Sequence, residues 1–109
     1  MIVTEETVQK SLDWLVANAP VSAQARADRE YLEAFTRTLR AALMEEKSSE
    51  PLGAQERYAN AHKDMKVHLL GLKAAIFEDE RLRHLTAAAE TKIEVWRSEQ
   101  ANARAQGKI

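Results

Sequence analysis

From Asp64 to about Ala105 the chain runs 42 residues without a proline, and every local signal in that stretch is helical. A straight α-helix of that length would reach roughly 63 Å, whereas a compact domain of about 100 residues has a radius of gyration of only about 13 Å. The two lengths conflict. The segment must bend, break, or project into a partner. Met65, Leu69, Leu72 and Ile76 form one apolar stripe, and Leu82, Leu85, Ala89, Ile93 and Trp96 form another. The step from Ile76 to Leu82 is six residues rather than seven, which changes the face presented or overwinds a supercoil. The spacing therefore predicts a kink or loop at residues 77–81, within Phe77-Glu78-Asp79-Glu80-Arg81. Gly71 is a second weak point, since glycine costs a helix interior about 1 kcal/mol relative to alanine.

The rest of the chain reads as shorter helices. Thr4 is a suitable N-cap, and Glu5 and Glu6 complement the dipole of a first helix over about 5–19. Val8, Leu12, Leu15 and Val16 fall on one of its faces, with Trp14 beside them. Asn18-Ala19-Pro20 predicts its end, because proline disfavours helical geometry in the preceding residue. A second helix over about 22–47 carries Leu32, Phe35, Leu39 and Ala42 at coiled-coil-like spacing, flanked by Tyr31 and Leu43. Ser48-Ser49-Glu50-Pro51-Leu52-Gly53 is a loop, and a short connection implies antiparallel neighbours. A short helix follows at 54–61, with Tyr58 and Ala61 turned inward. The last helix spans about 64–105, with Asp64 as its N-cap, and the tail from Asn102 to Ile109 frays.

Composition agrees with this pattern. Nineteen alanines, three glycines, two prolines and 6 % aromatic residues favour helices over sandwiches and barrels. The expected architecture is a single all-α domain over residues 1–109, an antiparallel helical hairpin or bundle with a long, kinked last helix. The absence of cysteine excludes disulfides and thiolate chemistry and fits a reducing compartment. No apolar run approaches the ~20 residues a membrane span needs, so no membrane partner is expected. The opening MIVTEETVQK lacks the basic and apolar regions of a signal peptide, so no secretion is expected.

Chemistry-bearing constellations are sparse. Asp64 with His68, and Glu80 with His84, stand four apart and could each present two metal ligands on one helix face. Neither belongs to a His-Glu-x-x-His grouping, so both read as surface pairs or caps, and no metal or cofactor is expected. The glycines form no phosphate loop, the serines sit in no nucleophile elbow, and most carboxylates lie in charge-alternating stretches. A non-enzymatic role follows.

Binding is the alternative to catalysis. The net charge is −1, with nine acids against six bases up to residue 54 and ten bases against eight acids after it. That balance excludes a dedicated duplex binder, yet Arg81, Arg83, Lys92, Arg97 and Arg104 could line one side of the last helix, with Trp96 free to stack on a base of single-stranded DNA. The competing assignment puts Trp96 in an apolar seam with Leu32, Phe35, Leu39, Leu69, Leu72, Ile76, Leu82, Leu85 and Ile93, and it is favoured by the shared spacing. Few large apolar groups are available to close a monomer core, so a homodimer burying these seams is expected. A third possibility is an inhibitor of a host enzyme or defence complex. Its acidic residues Glu30, Glu33, Glu45 and Glu46 would then occupy a basic groove.

Three segments carry a resemblance: Ala25-Arg26-Ala27-Asp28-Arg29-Glu30-Tyr31-Leu32 followed by Ala41-Ala42-Leu43-Met44; Ala54-Gln55-Glu56-Arg57-Tyr58-Ala59-Asn60-Ala61-His62; and Ala87 to Asn102, in which Lys92-Ile93-Glu94-Val95-Trp96-Arg97 is the most recognisable block. Over residues 22–105 the chain resembles small helical proteins of tailed phages and prophages, commonly encoded near recombination or single-strand-binding genes. The resemblance implies an accessory role in phage DNA recombination or replication in the host cytoplasm, with a phage or host DNA-metabolism protein as partner. It implies no catalytic residues.

Overall fold

The computed structural model describes residues 2–107. They form three α-helices: α1 (Glu5–Glu45), α2 (Leu52–Ala61) and α3 (Lys63–Ala105). No strand occurs among the described residues. The all-α class and the hairpin-like arrangement are as expected, α2 starts at Leu52 within the expected 48–53 loop, and two expected interruptions of the long helices are not found.

The first correction is at Pro20, which lies inside α1 rather than ending a helix at residue 19. Proline removes the N–H that would bond the carbonyl of Val16. Val16 is 77 % exposed and Pro20 is exposed too, so water can take that carbonyl and the helix continues. The second correction is at residues 77–81, which are helical throughout, so no loop interrupts α3 there. The apparent missing step has a chemical cause. Among the buried and half-buried residues of α3, Met65, His68, Leu72, Ala75, Asp79, Leu82, Thr86, Ala89, Ile93 and Trp96 form one continuous row spaced alternately three and four. The seam does not skip. It passes through a carboxylate, which a search for apolar residues alone overlooks.

α1 follows the same rule. Val8, Ser11, Leu15, Asn18, Ser22, Ala25, Arg29, Leu32, Thr36, Leu39 and Leu43 repeat at three and four, and all are buried or half-buried. Such heptad spacing is the signature of helices packed side by side, and many of its positions here are polar or small.

The chain divides into two compact units. The central unit, Gln24–Asp79, holds the later part of α1, all of α2 and the start of α3. Its core is Leu43, Ala59 and Met65, packed against Leu39, Met44 and Tyr58. Arg29 Nη1 donates to Asp79 Oδ2 at 3.2 Å. Thr36 Oγ1 lies 2.8 Å from His68 Nε2. Because the Thr36 hydroxyl donates its single proton to the Leu32 carbonyl at 3.1 Å, His68 Nε2 carries the proton of the contact. Phe35 meets the His68 ring edge-on, with centroids 5.6 Å apart. The Tyr58 hydroxyl donates to Glu46 Oε1 at 3.2 Å, which ties α2 to the end of α1.

Between α2 and α3 a single residue turns the chain. His62, not Asp64, caps α3: its Nδ1 accepts the Asp64 N–H at 3.0 Å while its carbonyl accepts from Met65 and Lys66. An imidazole nitrogen here does the work usually given to a Ser or Asp oxygen.

The terminal unit combines the chain up to Ala23 with the chain from Glu80. Thr4 caps α1 as expected, its Oγ1 accepting the Thr7 N–H at 3.1 Å. Val3, Val8, Leu82 and Ala89 are its buried apolar residues, and the Val3 N–H donates to Glu99 Oε2 at 3.1 Å. α3 ends at Ala105, and Gly107 adopts φ 71°, the left-handed conformation that closes helix ends. Of the expected frayed tail, Lys108 and Ile109 lie outside the described residues.

Candidate functional site

The ten expected seam residues separate into two groups. Leu82 is buried, and Leu32, Phe35, Leu39, Leu72, Ile76, Ile93 and Trp96 are half-buried within their own units. Leu69 and Leu85, by contrast, are 47 % and 40 % exposed and stand beside the seam. The register through Asp79 explains both, since Leu69 lies one position after the seam residue His68 and Leu85 one position before the seam residue Thr86. The two seams serve pairing within the chain, as the bonds from Arg29 to Asp79 and between Thr36 and His68 attest. A second copy would therefore have to use other surfaces.

The five basic residues expected to form one strip do not share a face. At roughly 100° per residue, Arg81 and Lys92 fall on one flank of the α3 seam, and Arg83, Arg97 and Arg104 fall on the other. All five are exposed. Arg83 Nη1 pairs with Glu80 at 3.2 Å and Arg97 Nη1 with Glu94 at 2.9 Å, so part of the second flank is neutralised locally. Trp96 is half-buried rather than free.

The two His–carboxylate pairs also resolve. His84 Nε2 lies 3.9 Å from Glu80 Oε2 on the surface, whereas Asp64 approaches His62 at 3.7 Å and His68 turns to Thr36. Among the described residues no three His, Asp or Glu side chains converge as a metal site would require.

The most conspicuous surface was not among the expected site residues. On α3 of the central unit, Val67, Leu70 and Phe77 are 67 %, 67 % and 69 % exposed. With exposed Ala74 they repeat at three, four and three, on the side of the helix opposite Met65, Leu72 and Asp79. Exposed Lys63, Lys66 and Lys73 border this stripe. Gly71 adds to the openness, because a Cβ there would meet nothing within 4 Å. A sequence signal for it exists: residues 65–77 hold more apolar side chains than one helix face can bury, and a helix apolar all round is a helix meant to be covered.

The terminal unit offers a second feature, a groove of about 290 Å³ between α1 and α3 lined by Thr7, Lys10, Ser11 and Trp14 on one side and Leu85, Ala88, Ala89 and Lys92 on the other. Compared with known protein families, with curated proteins and with solved structures, the chain matches none.

Proposed function

We propose that this protein acts without catalysis, through protein–protein contacts, as an accessory factor of phage-type DNA recombination or replication, and that it does so as a homodimer. The observation that carries the contact surface is the outward stripe of Val67, Leu70 and Phe77, each about two-thirds exposed. Scattered exposed apolar residues need no explanation, but a contiguous set at heptad spacing marks an interaction site. Support for the DNA-metabolism role comes from the resemblance of residues 22–105 to small phage proteins.

A second copy supplies a matching surface. Between Gln24 and Glu45, α1 carries exposed Ala27, Ala34 and Ala41 seven residues apart, which leaves a shallow groove for large side chains. Exposed Glu30 and Glu45 flank that alanine row in the helical register, as does exposed Arg37, and the two carboxylates are opposite in sign to Lys63, Lys66 and Lys73. A photo-crosslinking amino acid at position 70 tests the pairing. The expected product is a chain-to-chain adduct mapping to residues 24–45 of the other copy. Absence of any such adduct across a range of concentrations contradicts it.

A further inference from the structure

The groove of the terminal unit has an uneven chemistry that its size makes meaningful. Lys10 and Lys92 lie toward one end of its helical register, and Trp14 and Leu85 lie toward the other, with Ala88 and Ala89 between. At about 290 Å³ it lies just below the roughly 300–1,000 Å³ typical of small-ligand sites. It is also open rather than enclosing, so it suits one flat group with an anionic attachment. The polar groups of its floor are already committed. The Ser11 hydroxyl donates to the Thr7 carbonyl at 2.9 Å, and Thr7 Oγ1 lies 3.0 Å from Thr4 Oγ1. Lys10 pairs with Glu6 at 3.2 Å, both side chains more than three-quarters exposed, and an incoming phosphate can displace that carboxylate at little cost. Arg81, about 20° around α3 from Lys92, extends the same basic flank.

We infer that this groove takes one nucleotide of a single-stranded nucleic acid, with the base stacked on Trp14 beside Leu85 and the flanking phosphates held by Lys10 and Lys92. Both tryptophans are half-buried, and the stacking surface is Trp14 because it, and not Trp96, lines this groove beside the two lysines. Base stacking on an aromatic ring with phosphates on lysines gives weak binding that tolerates any sequence and falls with salt. Contact with a strand rather than a free nucleotide follows from the open groove and from the extension of charge to Arg81.

The test titrates the full chain with an oligothymidylate and with thymidine monophosphate, at low and at moderate salt, reading tryptophan fluorescence and the anisotropy of a labelled strand. The Trp96→Phe variant, which keeps Trp14, should retain quenching by the strand, and Trp14→Phe should lose it. The double variant Lys10→Ala/Lys92→Ala alters only exposed side chains and should weaken strand binding about tenfold or more. It should also flatten the slope of log K against log salt by about 1.4, two phosphate contacts at ~0.7 each for single strands. Circular dichroism confirms that each variant folds. No strand binding at low salt overturns the inference, as does unchanged affinity in the double lysine variant, or quenching that follows Trp96. Thymidine monophosphate binding as tightly as the strand also overturns it. Because this groove and the Val67–Phe77 stripe belong to different units, either proposal can fail without the other.

Discussion

Asp79, 4 % exposed, accepts a hydrogen bond from the Arg29 guanidinium at 3.2 Å, and the pair occupies facing seam positions that heptad packing ordinarily gives to apolar side chains. Arg29 also donates to Glu33 at 2.9 Å, which holds the guanidinium in place. Removing one partner strands the other charge. Asp79→Ala should therefore destabilise the protein by about 2–3 kcal/mol, below the full cost of a deeply buried pair because Arg29 keeps Glu33 and some solvent. Replacing both residues with leucine should recover most of that loss. Urea denaturation of the two variants measures the difference, and an unaltered midpoint for Asp79→Ala would contradict the assignment.

The register itself can be tested with two leucines three residues apart. Leu82 is 2 % exposed and Leu85 is 40 % exposed. Leu82→Ala should cost about 2–4 kcal/mol, as for other buried leucines, and Leu85→Ala less than about 1. Equal losses would mean that the seam passes between them.

The helical class follows from alanine content and spacing, and the Thr4 cap follows from its position ahead of Glu5 and Glu6. The step at 77–81 misleads because hydrophobic periodicity cannot see a seam position filled by Asp79 and answered by Arg29, fifty residues away. Pro20 misleads because its effect depends on the exposure of Val16, a property of packing. The His62 cap escapes because imidazole is an uncommon N-cap. Val67, Leu70 and Phe77 escape because an apolar residue at helical spacing reads as core until a partner helix is found to cover a different face.

Tyr58 supplies a pH dependence. Burial pushes its phenol above the usual 10.0, and the neighbouring Glu46 carboxylate raises it further through charge and a hydrogen bond, with Asp64 adding to the push. A group with a raised folded value contributes stability that is intact below its unfolded value and is lost as pH rises through the folded one. Stability should therefore hold up to about pH 10 and decline above it. Tyr58→Phe should decline less over that window. The check is the urea midpoint of both proteins from about pH 8 to 11; parallel curves would contradict it.

The outward stripe should be dispensable for folding. Leu70→Glu and Phe77→Glu replace exposed side chains on a continuous helix, and surface changes of this kind move stability by about 0.5 kcal/mol or less. Under dilute conditions, where self-association is absent, thermal melts of the double variant and the parent should nearly coincide. A large drop in Tm would show that the stripe is core.

The most direct test of the central claim is the solution mass by light scattering, across concentration, of the parent chain and of Leu70→Glu/Phe77→Glu. The parent should rise toward twice the mass of one chain, and added salt should oppose that rise because lysines and carboxylates take part. The double variant should remain at one chain throughout. A parent that stays monomeric at every concentration, or a variant that dimerises as readily as the parent, would contradict the claim that this face joins two copies.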